Sequence, residues 1–442
     1  MTRSSTATMT PHPLREALHN EVHARPYESL RAPLLLSHLA FVGAQGDAAR
    51  EHLATLLRSR HLPVPADDAN HLSADLGGTH VRWEKHTEFH TCTFWRELPQ
   101  GEVSFEASAL TGVPRDWLAA LPGQWLVGLH LLVLVAPGDD AVRAVPAVVR
   151  RSLHEDSLVG ANVMDGAGQV YTDFRLYADG FARMALVADE MSPRRLGRAA
   201  QRLLEIETYR MAALLGLPMA REVSGALVHA ERDLADIANQ VRSAQRHEEP
   251  ELLRRLTQLA GEVESLYART HARFSASAAY FELIQRRIDE LREQRIAGLQ
   301  TVGEFMDRRL APAMQTCAWA ARRQQALSER ISRTSNLLRT RVEIEQQQSS
   351  QDLLDAMNRR QKAQLLLQTA VEGLSVAAVT YYGAGLVGYL AKGAKTAGLN
   401  LSPDVVVAIS IPVIAVLVWL GIARLHRQAQ AEADRDRNDS TE

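Results

Sequence analysis

Three polar residues alternate along a predicted strand, and their side chains are of the types that bind metal ions. On an uninterrupted strand His86, Glu88 and His90 would share one face and present two imidazoles and a carboxylate. Sequence spacing places no fourth ligand near them, as a closed zinc site requires. We therefore expect a solvated strand face or a hairpin tip, and neither a bound metal nor a cofactor.

A second polar group lies at the end of the first predicted helix and consists of Asn20, Glu21, His23 and Arg25. The guanidinium of Arg25 could bind an anionic ligand. The same side chains could instead cap the helix and tie the N-terminus to the domain by hydrogen bonds. The group is thus a candidate ligand-binding site, with capping as the simpler alternative.

A third group lies on one predicted helix. Helical spacing makes Glu205 a neighbour of Tyr209, at a step of four, and Glu207 a neighbour of Arg210, at a step of three. Two carboxylates two positions apart point in different directions, which argues against an acid/base pair. We expect a buried polar network that steadies the join between two domains.

The last group lies near the C-terminus, at and within an apolar stretch. A carboxylate at a membrane boundary is costly unless it is paired or hydrated, so Glu372 is a functional candidate, with an ordinary interfacial position as the alternative. Small and hydroxyl residues follow it and would allow close helix packing or line a pore. The candidate pore or helix-packing residues are Glu372, Ser375, Thr380, Gly383, Ala384 and Gly388.

No enzyme signature occurs in the sequence, and no catalytic residue is predicted. The run Asp165-Gly-Ala-Gly168 superficially suggests a phosphate loop, but it lies between two predicted strands and no helix follows. No nucleophile elbow or zinc motif is present. The two cysteines, Cys92 and Cys317, are far apart and provide no disulfide framework.

Composition limits the possible partners and compartments. The chain has 442 residues and a formal net charge of -2, so a nucleic-acid partner is not expected. Residues 1–12 are rich in Ser and Thr and are expected to be disordered, and they lack the apolar core of a signal peptide. The bulk of the protein should therefore lie in the cytoplasm.

The elements that carry these groups fall into successive segments. Residues 13–190 alternate between helical and strand periods and predict an α+β (α/β) domain with about seven strands. Residues 191–370 predict a helical stalk with coiled-coil character, opened by Ser192-Pro193 as N-cap and first helical residue and interrupted at Pro218, Pro250 and Pro312.

The C-terminal segment predicts a transmembrane hairpin over residues 371–424. Its two apolar stretches, 371–390 and 405–422, each match a hydrocarbon layer of about 30 Å. Arginines flank the hairpin, and residues 425–442 form a charged tail. Positively charged residues that flank membrane spans favour the cytoplasmic side. Together with the missing signal peptide, the flanking arginines therefore place both termini in the cytoplasm and the connector outside.

Several runs resemble a bacterial family of membrane-anchored proteins known as domain of unknown function thirty-four twenty-two. The runs are His12-Pro-Leu-Arg, Asn20-Glu-Val-His-Ala-Arg-Pro26, His86-Thr-Glu-Phe89, Arg202-Leu-Leu-Glu-Ile-Glu-Thr-Tyr-Arg210, Val371-Glu-Gly-Leu-Ser375 and Tyr381-Tyr382. They spread over almost the entire chain. The resemblance implies the bacterial inner membrane as location but supplies no reaction.

The predicted architecture also resembles that of CorA-type magnesium channels, with an α/β domain, a helical stalk and two spans. The Gly-Met-Asn signature of those channels is missing, since Tyr382-Gly-Ala-Gly-Leu386 stands in its place. The connector carries Lys392 and Lys395, which would repel cations.

Three functional hypotheses follow from the sequence. The first is a homo-oligomeric, channel- or transporter-type protein with a cytoplasmic sensing domain and its first spans around a central axis. The alternative is a membrane-tethered scaffold that transports nothing. A membrane-bound enzyme is the third. The lipid bilayer is the one partner that the sequence identifies.

Overall fold

The computed structural model of the chain describes residues 12–16, 18–19, 27–43, 46–99, 103–106, 108–136, 145–245, 247–396 and 402–439, with side chains in the last stretch up to residue 424. The chain forms two compact units, Met1–Asn336 and Leu337–Glu442.

The described residues of the first unit form nine strands and most of the helices. The strands are β1 (Leu34–Val42), β2 (His71–Asp75), β3 (His80–Lys85), β4 (Phe89–Glu97), β5 (Gln124–Val135), β6 (Val159–Val163), β7 (Gly168–Thr172), β8 (Ala182–Ala188) and β9 (Gln294–Arg295). The helices of the chain are α1 (Gly46–Ser59), α2 (Arg115–Ala119), α3 (Ala147–Ser152), α4 (Pro193–Leu214), α5 (Gly216–Ser243), α6 (Glu249–Leu291), α7 (Val302–Arg309), α8 (Ala311–Thr396) and α9 (Pro403–Asp439).

All nine strands form one mixed sheet in the order β2-β3-β4-β1-β5-β8-β7-β6-β9. The ladder between β5 and β8 is parallel, and the other ladders are antiparallel. The prediction of about seven strands is therefore too low, because it omits β2 and β9. Both are short edge strands in which no residue is buried, so neither shows the apolar pattern of a buried strand.

The sheet is covered on both faces. On one face α1 packs against β1, β3 and β4 through an apolar cluster that includes Leu53, Trp83 and Phe94. On the other face α4 packs through a second cluster that includes Leu36, Leu131 and Leu203. The alternation of side chains along each strand therefore assigns every second residue of β1 and β4 to the α4 face.

Helix α4 starts where the sequence predicted. The Ser192 side chain accepts a hydrogen bond from the Arg195 backbone N–H at 3.4 Å, and Pro193 occupies the first turn. Helices α4 and α5 pack against α6, and all three belong to the first compact unit. The sequence placed a domain boundary at residue 190, and in the structure the chain continues there onto the face of the sheet.

The helical region has one break that the prolines did not predict. Helix α6 ends at Leu291, and Arg292 adopts a left-handed conformation with φ 52°. The chain then forms β9, which pairs with β6, before Thr301 opens α7 through a capping box with Glu304. This segment ties the helical region to the edge of the sheet.

Two helices of the second unit carry the C-terminal apolar stretches. The described residues contain three helical stretches long and apolar enough to cross a membrane, namely Pro193–Ser243, Val302–Thr396 and Pro403–Arg424. The first is accounted for by packing within the first unit. Leu203 of α4 is buried against the sheet, and Leu227 and Leu234 of α5, which packs against α6, are buried as well. The other two contain the predicted spans.

Candidate functional site

The three residues whose types could bind a metal ion contact different partners. His86 stacks on Phe89 with ring centroids 4.4 Å apart, and His90 Nε2 lies 2.8 Å from the Pro122 carbonyl oxygen. Glu88 accepts hydrogen bonds from Arg273 and the Tyr280 hydroxyl, both at 2.7 Å. Within the part of the chain that the structure describes, no cluster of three or more potential ligands is present.

The predicted ligand group Asn20, Glu21, His23 and Arg25 lies outside the described residues. The described chain resumes at Tyr27, which lines the cavity considered below.

The small residues near the C-terminus pack within one hairpin of the second unit. Thr380 and Ala384 are buried, and a Cβ at Gly383 or Gly388 would lie about 3 Å from side-chain carbons of Ile414 and Val407 on α9. These contacts join α8 to α9 of the same chain.

The two polar candidates at the start of this stretch, Glu372 and Ser375, form hydrogen bonds within their own helix. Glu372 accepts a hydrogen bond from the Gln368 side chain at 3.1 Å. Ser375 is exposed, and its hydroxyl donates to the Val371 carbonyl oxygen at 2.9 Å. A role in conduction stays a prediction for both.

Two of the polar residues predicted on α4, Glu207 and Arg210, pair with each other as their helical spacing indicated. Glu207 is buried and forms a bidentate ion pair with Arg210, with N–O distances of 2.8 and 2.6 Å. Burial alone would lower the pKa of Arg210, but the carboxylate of Glu207 outweighs it and raises that pKa. Glu205 instead faces Gln201 and Arg287.

A cavity of about 360 Å³ lies between α4 and the sheet. Its size is at the lower end of the range for small-molecule sites. Polar and apolar side chains share the wall. The lining residues are Tyr27, Glu28, Leu30, Leu36, His38, Arg82, Glu84, His86, Phe89, Thr91, Thr93, Trp95, Gly197, Ala200, Gln201, Leu204, Glu205, Thr208, Tyr209 and Arg287.

Strand register explains why polar residues distant in sequence meet in this cavity. Thr93 of β4 pairs with Arg82 of β3 on one side and with His38 of β1 on the other. The next row on the same face contains Glu84 and Thr91. Because side chains alternate along a strand, these residues form a polar stripe facing α4.

His38 lies at the bottom of the cavity, and both nitrogens of its imidazole are hydrogen-bonded. The Thr208 hydroxyl donates to the Leu204 carbonyl, so it accepts from His38 Nε2–H at 2.9 Å. The Thr93 hydroxyl then donates to His38 Nδ1 at 2.8 Å. Burial lowers the pKa of His38 to about 4, so its imidazole is neutral near pH 7 and positions β1, β4 and α4 against one another.

Charged and amide side chains are linked by hydrogen bonds across the cavity wall. Arg82 donates to Glu84 at 2.8 Å and to the Gln201 side-chain oxygen at 3.2 Å. The Gln201 amide donates to Glu205 at 2.9 Å, and the other oxygen of Glu205 accepts from Arg287 Nε. The network thus links β3, α4 and α6 by alternating charges in a largely buried setting.

Aromatic side chains form the other part of the wall. Phe89 and Tyr209 lie edge to face with ring centroids 6.5 Å apart, and Tyr209 stacks on Tyr280 at 5.7 Å. His86, Phe89 and Tyr209 also line a neighbouring cavity of about 390 Å³. Flat aromatic faces therefore adjoin the polar stripe.

Thr91 and Thr93 lie on the same face of β4 but differ in hydrogen bonding, so substituting each of them tests how much the hydrogen bond of Thr93 to His38 contributes to stability. The Thr91 hydroxyl is buried, and among the described residues it has no hydrogen-bond partner, so Thr91→Val should raise the free energy of unfolding by about 1 kcal/mol. Thr93→Val should lower it by about 1–3 kcal/mol, because His38 Nδ1 loses its donor. Urea unfolding followed by tryptophan fluorescence measures both, and equal effects of the two substitutions would contradict the assignment.

Gly197 sets how closely the chain at Glu28 approaches α4. A Cβ at Gly197 would lie 1.7 Å from the Glu28 carbonyl oxygen, and the nearby Leu30 N–H donates to the Pro193 carbonyl at 3.1 Å. We expect Gly197→Ala to lower the free energy of unfolding by about 1–3 kcal/mol, since backbone must move.

Gly225 provides the control for that prediction. It lies in α5 with nothing within 4 Å of an added Cβ, so Gly225→Ala should raise the free energy of unfolding by about 0.5–1 kcal/mol. The same urea titration compares the two variants. A Gly197→Ala protein as stable as Gly225→Ala would show that the contact with Glu28 is not required.

A serine, a histidine and an aspartate also meet elsewhere in the first unit. The Ser37 hydroxyl lies 2.9 Å from His130 Nδ1, and Asp179 lies 3.8 Å from His130 Nε2. Ser37 is fully buried, and the Ala109 N–H donates to its oxygen at 3.3 Å. A nucleophile must reach its substrate, so we assign this trio to packing.

Sequence reasoning identified Glu205 and Tyr209 but missed the strand residues of the cavity. Arg82 and Glu84 have the same two-residue spacing as His86 and Glu88 and were detectable as a polar face of one predicted strand. The role of His38 was not detectable, because the strand around it reads as uniformly buried.

A family model described as "Protein of unknown function (DUF3422)" matches residues 10–429. No curated protein and no solved structure matches the chain.

Proposed function

The chain belongs to the DUF3422 family, and from this premise and the cavity on the sheet we propose a membrane-anchored protein whose first unit binds a small polar ligand. The cavity of about 360 Å³ supports the proposal, because its wall combines buried charged groups with aromatic faces. Binding fits the site better than catalysis, since His38, its buried imidazole, is neutral and fully hydrogen-bonded.

Ligand binding is testable by filling the cavity. Ala200 lines it, and Ala200→Leu adds three carbons to the wall, whereas Ala235→Leu changes an exposed position of α5. The full chain in detergent would be screened against a library of polar metabolites by thermal shift, with hits quantified by calorimetry.

We expect one chemical class to bind at one ligand per chain to the wild type and to Ala235→Leu, and at least about tenfold more weakly to Ala200→Leu. A library without hits, or hits indifferent to Ala200→Leu, would refute the binding function.

The second unit is proposed as the anchor, in the bacterial inner membrane. Large apolar side chains remain exposed along both of its helices, including Leu374, Leu386, Leu417 and Leu420. Lipid would cover such a surface, whereas exposing an apolar patch of this extent to water is energetically unfavourable.

We predict that both termini lie in the cytoplasm and the connector outside. A single cysteine introduced near Gly393 should react with an impermeant maleimide in intact cells, and one near Asp434 should react only after lysis. The native thiols of Cys92 and Cys317 are buried, and burial raises the pKa of both, so background labelling should be low. The reverse labelling pattern would overturn this topology.

A pore formed by several copies is a second candidate, and the exposed Ser375 favours it as a polar group on the first apolar stretch. The packing of Thr380 and Ala384 inside a hairpin supports the anchor instead. A pore would need this face of α8 to line the central axis, but the face is already covered within the same chain. Native mass spectrometry of the full chain distinguishes them: a monomer excludes the pore.

A further inference from the structure

One long part of α8 is exposed on all sides. Every residue from 346 to 371, in the second unit, is exposed, and these 26 residues extend about 39 Å along the helix axis. An isolated helix is marginally stable in water, and most helical stability in proteins comes from packing an apolar face. This part of α8, here called the exposed segment, is therefore expected to pack against a partner wherever it carries such a face.

The exposed segment carries an apolar stripe with the spacing of a coiled coil. Leu353 and Leu367 are 64 % and 68 % exposed, and they lie two heptads apart. Alanines recur on the same side of the helix at steps of seven residues. In the heptad register that joins these residues, positions a and d are Leu353, Ala356, Arg360, Ala363, Leu367 and Ala370. A period of seven keeps one side of a helix facing a second helix that winds around it.

The opposite side of the exposed segment is mostly polar. Leu354 and Leu365 are its apolar exceptions, and Leu365 lies within two turns of the apolar stretch that starts at residue 371, where lipid would cover it. A lipid surface around the whole segment would favour apolar residues on every side. The polar side therefore indicates a helix as the partner of the stripe, with water around the remainder. The polar residues of this side include Gln351, Asp355, Asn358, Gln361, Lys362 and Gln368.

Membrane anchoring identifies a second copy of this chain as the partner, and this step rests on the proposed anchor. The exposed segment continues without a break into the apolar stretch 371–390 as one helix. Two copies held in one bilayer by this hairpin have the same direction and depth, so their segments are parallel and identical positions face each other. Confinement to the plane of the bilayer also raises the effective concentration of the two segments.

Arg360 at position a limits the number of chains to two. A polar residue at one a position lowers the stability of a coiled coil but selects its register and its number of strands. In a two-stranded coil the long side chain of Arg360 extends along the edge of the interface and keeps its guanidinium in water. In a bundle of three or more chains the guanidinium groups converge on a central axis, where each charge is poorly solvated.

We propose that the exposed segment forms a parallel, two-stranded coiled coil with the same segment of a second copy, next to the membrane hairpin. Leu353, Ala356, Ala363 and Leu367 form the contact. The small alanine side chains let the two helices approach closely, and the leucines supply the buried apolar area.

Single cysteines in the full chain, oxidised in native membranes, test this contact. Ala356→Cys and Ala363→Cys lie in the stripe, and Asn358→Cys and Lys362→Cys lie on the polar side as controls. A disulfide requires Cα atoms within about 7 Å, a distance that identical positions reach in the stripe but not on the outer sides of two paired helices. We expect at least about tenfold more disulfide-linked dimer from the stripe positions than from the controls.

A positive charge added to the stripe provides an independent check. In a chain that carries Ala356→Cys, Ala363→Lys should lower the dimer yield about tenfold, because it places two more cations beside the facing Arg360 side chains. Gln361→Lys adds the same charge on the polar side and should leave the yield unchanged. The native thiols of Cys92 and Cys317 are buried, so the wild-type chain gives the background.

The outcomes separate this inference from the anchor. Equal yields at stripe and control positions, or a higher yield at the controls, would overturn the coiled coil. A native mass of two chains supports the two-stranded form, and a mass of one chain or of three or more overturns it. A chain that stays in carbonate-washed membranes but gives no cross-link overturns the coiled coil alone, whereas a chain released by the wash overturns the anchor and the parallel pairing together.

Discussion

Replacing Glu207 by Ala should lower the free energy of unfolding by about 3–5 kcal/mol. Glu207 is only 3 % exposed, and both its oxygens accept hydrogen bonds from the guanidinium of Arg210. The substitution leaves that guanidinium in a largely buried position without its counter-charge, although it still lies 5.4 Å above the Phe174 ring. Removing one partner of a buried ion pair is costly, because the remaining charge is poorly solvated.

The pair of Glu251 and Arg254 provides a control of the same geometry. It has the same three-residue spacing and the same bidentate contact, at 2.8 and 2.7 Å, but both side chains are more than half exposed. Glu251→Ala should therefore change stability little, since water replaces the lost contact. Urea unfolding of the full chain in detergent compares the variants, and equal losses would show that burial of Glu207 does not matter.

The first unit should lose stability as the pH falls from about 6.5 to about 4. Burial lowers the pKa of both His38 and His130 to about 4, from 6.5 in the unfolded chain. Between these values the unfolded chain binds protons that the folded chain does not bind, so acid favours unfolding. Each histidine should contribute a slope of about 1.4 kcal/mol per pH unit and, over this window, of order 3 kcal/mol.

The slope of stability against pH, rather than stability itself, tests this expectation. His38→Gln and His130→Gln should each reduce the slope between pH 4 and 6.5 by about 1.4 kcal/mol per pH unit, and the double variant should reduce it by about twice as much. The measurement is the free energy of unfolding from urea titrations at a series of pH values. A wild-type curve that is flat over this window would contradict the burial of neutral imidazoles.

Several elements were predictable because their causes are local. The run Leu34–Val42 is apolar except for Ser37 and His38, a pattern typical of a buried strand, and it forms β1. Ser192 with Pro193 predicted the start of α4. A positive φ at Gly166 matches the turn indicated by the run Asp165–Gly168 between two predicted strands. The ion pair of Glu207 with Arg210 followed from helical spacing alone, since neighbours three residues apart share a helix face.

Other features depend on contacts between distant segments. The residues Arg-Glu-Gln-Arg that begin at Arg292 favour a helix by propensity, yet in the structure the chain leaves the helix there and adds β9 to the edge of β6. Strand β2 also forms by pairing, across a turn in which the Asp75 carboxylate accepts from the Gly77 and Gly78 N–H groups. Tertiary pairing overrides weak local preference in both cases.

The sequence by itself determined the order of the segments, the apolar hairpin and the family. The cavity was decided only by tertiary structure. His38 and Thr93 are 55 residues apart, and His38 and Thr208 are 170 apart, so their meeting depends on strand register and on the docking of α4. Local patterns report which face of an element is apolar, but they carry no information on which distant face will cover it. The charge and the aromatic walls of the site therefore emerge only when the sheet and α4 come together.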